Sequence, residues 1–422
     1  MNKYQQAIGR LNYFLFLSVV ALLPAPQICL RYACVAWMFT WFLEGRWLSI
    51  PSSLKKNKMA IPFILFGLWY GWKLLSGLWA ADSESWRWEM ERYMTFGLLI
   101  PIGIWGVNKY FDWRTAGKVL VISCVAAVPL YVCWMALLFF NADWVSHLHL
   151  TEEWIQHEEW WTFLSDNISH FKHRLFLCSV EIFGAVIAFQ LYGKRLAILI
   201  PSVVIMLSTI FLTGSRQAIL SCAAVMVAIA IYSLPKRYRL RYGLGILLLG
   251  MVIGGGLLKL HPRMQQFELS DITEMREMSY YHDVRFNIWG AALQHPEDYL
   301  WHGLGAGQSS QYLVERYQDA GFDYYAMKHY HPHNQYLEET MEIGIFGLVL
   351  FILAWISIPL CARQTGRRTG LIITTLFMMN MLTDCMFGKF DGIVLWAIGL
   401  LFVLLQTNTK SDKQSARDAQ AH

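Results

Sequence analysis

One arginine separates two long apolar runs in the segment LAILIPSVVIMLSTIFLTGSRQAILSCAAVMVAIAIYSLPKR, residues 196–237. Residues 196–215 contain no charged side chain and residues 217–235 contain none either, so Arg216 is the single charge between the two runs. Apolar runs of about 18 or more residues are long enough to cross a bilayer as helices. The segment therefore predicts two membrane-spanning helices that meet at Arg216.

The whole chain shares this apolar character. Of its 422 residues, 56% are hydrophobic and 15% are charged, whereas soluble proteins have about 25% charged residues. Further runs without charge occupy residues 11–30, 119–142, 343–362 and 392–409. These figures exclude a disordered chain, a coiled coil and an ordinary cytosolic enzyme, and they predict an all-α polytopic membrane protein.

Division of the apolar runs at charged residues predicts about twelve transmembrane helices, with a large, partly helical loop between spans 9 and 10. The predicted spans are residues 11–28, 29–44, 59–80, 93–107, 118–140, 174–192, 196–213, 216–234, 243–260, 336–360, 371–387 and 391–407. Basic residues concentrate in every second connection, which the positive-inside rule places in the cytoplasm. Both termini are therefore predicted to be cytoplasmic.

The predicted organisation has four parts. Transmembrane helices 1–9 occupy residues 1–260, an outer loop occupies 261–335, transmembrane helices 10–12 occupy 336–407, and a polar cytoplasmic tail occupies 408–422. Twelve of the 13 histidines lie in the outer loops, 141–173 and 261–335. Loops this long are usually functional or disordered, and the aromatic residues of the second loop predict that it is folded.

The composition also limits the partners. The net charge of +5 follows from basic residues on the cytoplasmic side, so it does not predict a nucleic-acid partner. The sequence has no Walker-type glycine loop and no nucleotide-binding fingerprint, and so no nucleotide partner is expected. All eight cysteines lie in or beside apolar segments, which argues against a disulfide framework.

Two arginines are candidates for a functional site. Arg216 follows Gly214 and Ser215 at the start of a predicted helix, at the outer membrane boundary, where an arginine can also simply reach lipid phosphates. Arg285 lies on a predicted amphipathic helix of the outer loop, where it can also be a surface residue paired with Asp283. The sequence therefore leaves a structural role open for both.

A histidine-rich run directly precedes the tenth span. It reads HYHPHNQ, residues 329–335, and ends with a suitable helix N-cap at Asn334. Since Pro332 disfavours a helical conformation of the residue before it, His333 is expected at the entrance of the helix. A histidine at this position can be an interfacial hydrogen-bonding group or a catalyst.

Together these motifs resemble the O-antigen ligase and polymerase superfamily. The signature is His333-Asn334, nine residues, and then the G-x-x-G of Gly344 and Gly347, which are expected to allow close helix packing. Arg216 resembles the first essential arginine of that family. Arg285 resembles its loop arginine, which precedes a glycine loop that is here Gly303, Gly305 and Gly307. Asp384 stands where the resemblance predicts a glutamate.

The resemblance implies a metal-independent inverting glycosyltransferase of the bacterial inner membrane, with no cofactor and with its catalytic loop in the periplasm. The implied donor is a glycan on undecaprenyl diphosphate, and the implied acceptor is a hydroxyl of the lipid A-core, both held among membrane lipids. The implied catalytic residues are His333, Arg216 and Arg285. Those implied for substrate binding are Arg216, Arg285, Asn334, Gly305 and Gly307.

The chemistry of these residue types agrees with that reaction. Two arginines can stabilise the negative charge that develops on a diphosphate leaving group, because their guanidinium groups are always charged and donate two parallel hydrogen bonds. Removal of a proton from a hydroxyl requires a base that titrates near neutral pH, which suits His333.

Metal catalysis is a weaker alternative. Asp82-Ser83-Glu84 follows the third span in the manner of a metal-binding acidic pair, but a single such pair is more often a solvated loop. His329, His331 and His333 alternate like metal ligands, yet no cysteine or carboxylate near them in the sequence completes a tetrahedral set. The sequence therefore predicts no metal site.

Other functions stay open. A polysaccharide polymerase or a protein O-oligosaccharyltransferase uses the same lipid-linked donor, and the motif does not separate these from a ligase because they differ only in the acceptor. A twelve-span transporter is an alternative of another class. The dissimilar halves of the chain argue against it, because many transporters contain two similar halves.

Overall fold

The fold was determined as a computed structural model, which describes residues 3–48, 58–140, 168, 172–260, 284–362 and 364–420. In this part of the chain all regular elements are helical. The loop predicted at 141–173 lies outside the described residues, except for residues 168, 172 and 173. Residues 261–283, the first part of the second predicted loop, also lie outside them.

The helices follow one another along the chain without strands between them in the described ranges. They are α1 (Lys3–Ala21), α2 (Gln27–Leu43), α3 (Ala60–Leu75), α4 (Ser83–Trp105), α5 (Trp113–Phe140), α6 (Arg174–Tyr192), α7 (Leu196–Thr213), α8 (Arg216–Ser233), α9 (Lys236–Leu260), α10 (Val284–Ala292), α11 (Ser309–Asp319), α12 (Asp323–Lys328), α13 (Gln335–Cys361), α14 (Gln364–Asn380) and α15 (Phe390–Gln420). Single 3₁₀ turns occur at Arg46–Leu48, Ser76–Leu78, Pro296–Asp298 and Met386–Gly388.

The described helices confirm an all-α polytopic membrane protein. Seven helical segments among the described residues are long and apolar enough to cross a membrane: Ala60–Leu78, Trp113–Leu137, Arg174–Tyr192, Leu196–Thr213, Arg216–Ser233, Gln335–Cys361 and Phe390–Asn408. Each of the twelve predicted spans overlaps a helix, from α1 to α9 and from α13 to α15, with bounds that differ in several cases. The number of these helices that cross the bilayer, and their orientation, stay predictions.

The described residues add two details to the sequence-based expectation. The segment expected as a polar tail after residue 407 continues the last helix, because α15 runs to Gln420. The outer loop is helical over α10, α11 and α12 where the structure describes it, as its aromatic content suggested.

The chain divides into two compact units, and the first comprises residues 1–48 and 108–222. Helix α6 is the most buried helix among the described residues of this unit, because every side chain from Leu175 to Ala188 is buried. Cys178 of α6 lies 3.2 Å from the Thr213 hydroxyl at the end of α7. Glu181 is fully buried in the same helix. An ionisable side chain within a membrane span is costly unless it faces protein rather than lipid, and the buried Glu181 does so.

The second unit comprises residues 49–107 and 223–422, and its helices α3 and α13 pack against each other. Aromatic rings of α3, α4, α13 and α15 surround Phe387: Phe66, Trp69, Phe96, Phe351, Trp355 and Trp396. Their ring centroids lie 4.6–6.4 Å from that of Phe387, which is the range of favourable aromatic pairs. This core holds the turn between α14 and α15 in place.

Candidate functional site

Arg285 is attached to the turn that follows α14. It is the second residue of α10, and its Nε donates a hydrogen bond to the carbonyl oxygen of Thr383 at 3.0 Å. On the same helix, the indole Nε1 of Trp289 donates to the carbonyl oxygen of Pro332 at 2.9 Å. Helix α10 therefore contacts both the histidine run before α13 and the turn after α14.

His333 lies at the entrance of α13 in an uncommon backbone conformation. Its φ is +48°, in the left-handed region that non-glycine residues rarely adopt. The next residue, Asn334, is the N-cap of α13, and its Oδ1 accepts the backbone N–H groups of Tyr336 and Leu337 at 3.0 and 3.1 Å. This capping satisfies two of the free N–H groups of the first helical turn, so the direction of the chain at His333 is set by the helix that follows it.

The turn after α14 is fastened to the first residue of α13. The Gln335 N–H donates to the Met381 carbonyl at 2.9 Å, and the Gln335 Oε1 accepts the Phe387 N–H at 2.9 Å. These two bonds enclose Asp384, whose Oδ1 lies 3.8 Å from Nδ1 of His333. The His333 side chain is 24% exposed and opens to the surface of the unit, whereas the Asp384 side chain is 9% exposed and lies buried beside it.

His331 stacks on His333 behind this pair. The two ring centroids are 3.8 Å apart, and the His331 Nδ1 accepts the backbone N–H of His333 at 3.2 Å. Burial, together with the neighbouring His333, lowers the pKa of His331 to about 3. His331 is therefore neutral near pH 7, and it does not compete with His333 for the negative charge of Asp384.

The structure thus brings Arg285 and His333 to one corner of the second unit, together with Asp384. Arg216 belongs to the first unit, where it is the first residue of α8. Gly214 precedes it with a φ of +54° and ends α7, and the Ser215 hydroxyl accepts the Ala218 N–H at 3.3 Å. The break between the two apolar runs is therefore a sharp turn that places Arg216 at a helix start.

The glycine loop is bound tightly to α13. The N–H groups of Leu304 and Gly305 donate to the carbonyls of Met341 and Glu342 at 2.8 and 2.9 Å. The Gly307 N–H donates to the Glu342 carboxylate at 3.0 Å, and the Ala306 N–H donates to the Ser76 hydroxyl at 2.9 Å. The N–H groups of Gly305 and Gly307, which the resemblance assigns to substrate binding, are therefore already used within the chain. A role of these glycines in substrate binding stays a prediction.

The backbones of the glycine loop and of α13 approach each other so closely that only glycine fits at the contact. A Cβ atom on Gly303 would lie 2.3 Å from the Glu342 carbonyl oxygen, and one on Gly344 would lie 2.3 Å from the Trp301 carbonyl oxygen. Gly344 also has a φ of +69° and interrupts the helical conformation of α13. The backbone that approaches Gly344 is therefore that of the loop. At Gly347 the three atoms nearest to a Cβ would belong to the Ile343 side chain of the same helix.

A buried ion-pair network, which the sequence analysis missed, supports the loop. Lys73 of α3 is fully buried, and its Nζ lies 3.2 Å from Glu339 Oε1 and 2.8 Å from Glu342 Oε2. The Trp69 Nε1 donates to Glu339 at 2.8 Å, and Ser309 donates to Glu342 at 3.1 Å. Glu342 therefore joins α3, the glycine loop and the start of α11. The signal in the sequence was a polar stripe on one face of an apolar helix, formed by Gln335, Glu338, Glu339 and Glu342.

The acidic pair after the third span has a structural role in the described chain. The Asp82 carboxylate accepts the N–H groups of Glu84 and Ser85 at 2.9 and 3.2 Å and caps α4. Its hydrogen bonds, first from the Ser85 hydroxyl and then from these backbone groups, lower the pKa of Asp82. This arrangement is that of a helix cap.

Two of the three alternating histidines lie near a carboxylate. Sequence proximity offered none, but Asp384 reaches His331 and His333 because α13 and α14 form a hairpin that returns the chain to this end. The ligand atoms of His331, His333 and Asp384 lie within 4.8 Å of one another. The prediction that no carboxylate lies near these histidines is therefore wrong.

Comparison with known families gives one match. A family model described as O-antigen ligase matches residues 201–352. The matched range contains Arg216, Arg285 and His333, and so the resemblance inferred from these residues is confirmed for this part of the chain. No curated protein matches the chain.

Proposed function

Because residues 201–352 match the O-antigen ligase family, we propose that this membrane protein is a metal-independent inverting glycosyltransferase. It transfers a glycan from undecaprenyl diphosphate to a hydroxyl group of the lipid A-core. The reaction takes place at the periplasmic face of the bacterial inner membrane, where the large loop and the entrance of α13 lie. Both termini are in the cytoplasm.

The observation that carries the proposal is the corner formed by Arg285, His333 and Asp384. Arg285 is bonded to Thr383, the residue before Asp384, and Asp384 lies 3.8 Å from His333. A permanent positive charge and an imidazole base therefore lie close to each other at a partly exposed surface. A transferase that breaks a glycosyl-diphosphate bond needs these two groups.

The roles of the residues follow from the charges that change during transfer. The anomeric carbon–oxygen bond breaks and leaves negative charge on the diphosphate, which Arg285 stabilises by charge-assisted hydrogen bonds. The acceptor hydroxyl attacks the anomeric carbon from the opposite side and gives its proton to His333. His333 becomes an imidazolium, and the adjacent Asp384 carboxylate stabilises that charge, as a positioning residue.

Arg216 is proposed as the second arginine of the reaction on two grounds. It matches the arginine that the family resemblance implies, and it stands at the first residue of α8, where helix N–H groups favour an anion. Gln217 offers a matched control, since it occupies the next position of the same helix.

The test uses the full chain purified in detergent with EDTA. The donor is undecaprenyl diphosphate carrying a glycan, and the acceptor is either lipid A-core or further lipid-linked glycan. Wild type is compared with Arg216→Ala, Arg285→Ala and His333→Ala, and with Gln217→Ala as the control. We expect transfer to lipid A-core in the wild type and in the control. Loss of a charged stabiliser or of the base is expected to reduce turnover by about 10²- to 10³-fold.

Each other outcome has a definite meaning. Growth of the glycan on its lipid carrier would replace the ligase by a polymerase that uses the same groups. Transfer that requires an added metal ion would overturn the metal-independent mechanism. If no transfer to either acceptor occurs, and all variants bind the donor like the wild type, the proposed transferase activity is contradicted and a transporter is favoured.

A further inference from the structure

We propose that His331, His333 and Asp384 form a binding site for a divalent transition-metal ion such as Zn²⁺, and that the bound ion inhibits transfer. The ligand atoms of the three side chains lie within 4.8 Å of one another. The binding site itself is independent of the reaction. The inhibitory effect rests on the proposed function, because it assumes that His333 takes the acceptor proton.

The distances are close to those of a metal site. Ligand atoms of four-coordinate zinc lie about 2.0–2.2 Å from the ion, which separates them from one another by about 3.4 Å. His333 Nδ1 and Asp384 Oδ1 are 3.8 Å apart, and the ligand atoms of all three side chains lie within 4.8 Å of one another. Movements of about 1 Å at the ligand atoms therefore bring them to the separation that a zinc ion requires.

The ligand types select the class of metal. Two imidazole nitrogens and one carboxylate oxygen suit Zn²⁺ and other late first-row ions, whereas Mg²⁺ and Ca²⁺ prefer oxygen ligands alone. Three protein ligands leave the fourth position of a tetrahedral zinc ion for water. The site should therefore distinguish Zn²⁺ from Mg²⁺.

The protein frame holds the two contributing segments in place. Asn334 caps α13 directly after His333, and Gln335 binds both sides of the turn that carries Asp384. The partial exposure of His333 gives an ion access from the surface. A second set shares His331 and adds Glu338 and Cys385, and both of these residues are buried, whereas in the first set only Asp384 is buried. We therefore assign the ion to the outer set.

Binding has one structural consequence. The His331 Nδ1 now accepts the His333 N–H, so the proton of the neutral ring is on Nε2. Coordination through Nδ1 replaces this bond directly, and coordination through Nε2 moves the ring proton to Nδ1, where it opposes the same N–H. His331 must therefore reorient when an ion binds.

The bound ion also removes the base. When a neutral imidazole coordinates a metal through one nitrogen, the other nitrogen carries the ring proton. Neither nitrogen of His333 can then accept a proton from an acceptor hydroxyl, whichever of the two binds the ion. Occupancy of the site and turnover should therefore exclude each other.

Binding is measured on the full chain in detergent, stripped with EDTA and desalted, by calorimetric titration with Zn²⁺ and separately with Mg²⁺. We expect one Zn²⁺ per chain and no heat from Mg²⁺. The Asp384→Asn and His331→Asn variants should bind Zn²⁺ about tenfold more weakly or worse. His329→Asn is the matched control, because His329 belongs to the same run, lies outside the ligand set and has a φ of +50° that asparagine tolerates.

Turnover of the wild type is then measured against Zn²⁺ concentration. The proposal is supported when inhibition follows the calorimetric occupancy and EDTA reverses it. Equal Zn²⁺ binding by all variants, or none by the wild type, would overturn the site. Zn²⁺ binding without inhibition would overturn the regulatory part. If turnover requires Zn²⁺, both the proposed inhibition by Zn²⁺ and the proposed metal-free reaction are wrong. The proposed Zn²⁺-binding site would still stand.

Discussion

Among single residues, Asp384 offers the most direct test of how His333 is used. Its carboxylate lies 3.8 Å from the imidazole and is mostly buried, but it makes no direct hydrogen bond to the ring. In the Asp384→Asn variant, the imidazolium that forms during transfer loses an attraction that is about 1 kcal/mol when screened as in bulk water, and larger for a buried carboxylate. We therefore expect kcat to fall at least about fivefold while KM for the donor stays unchanged, as measured by steady-state transfer in EDTA.

The control for this variant is Asp384→Glu. Glutamate keeps the charge, and it is the residue that the resemblance predicts at this position, so most of the activity should return. Equal losses in both variants, or a loss confined to the KM for the donor, would show that Asp384 supports the turn rather than the charge on His333.

At the scale of the structural elements, the break in α13 at Gly344 shapes the glycine loop. Gly344 has a φ of +69°, and a Cβ there would lie 2.3 Å from the Trp301 carbonyl oxygen. The Gly344→Ala variant is therefore strained by its backbone and by the contact. The backbone conformation, with ψ of −177°, is one that essentially only glycine adopts and alone costs about 1–3 kcal/mol, and so we expect a lower thermal unfolding temperature in detergent, together with reduced transfer.

Gly71 provides the matched control for that variant. It lies inside α3, and a Cβ there would meet nothing within 4 Å. Gly71→Ala should therefore leave the unfolding temperature unchanged or raise it, since alanine favours a helix over glycine by about 1 kcal/mol. A Gly344→Ala protein as stable and active as Gly71→Ala would contradict the assigned role of the break.

Local signals made some of these elements predictable from sequence. The cap at Asn334, the helix start at Arg216 and the twelve helical segments each depend on residues that are neighbours along the chain. The approach of Asp384 to His333 was not predictable, because two helices and their packing separate the two residues. The Lys73–Glu342 pair was not predictable for the same reason, because it connects α3 with α13, which are far apart in the sequence. The glycine loop was found as a motif, but the acceptors of its N–H groups come from distant elements.

At the scale of the whole molecule, the charge distribution predicts which ends of the helices face the cytoplasm. Glu315 is an exposed residue of α11 in the outer loop, and Arg237 is an exposed residue near the start of α9 in a basic connection. By the positive-inside rule these two positions lie on opposite sides of the membrane. A cysteine in place of Glu315 should react with a membrane-impermeant maleimide in spheroplasts, and a cysteine in place of Arg237 should react only after permeabilisation.

The same experiment tests the location of the proposed reaction. The parent chain is the reference for background labelling, since its own eight cysteines lie in or beside apolar segments. If the Glu315 position is shielded and the Arg237 position is open, the orientation is inverted. His333 and Arg285 would then face the cytoplasm. A lipid-linked donor presented on the periplasmic side could not reach them, so the proposed transfer would fail on topology alone, whatever the chemistry of the residues.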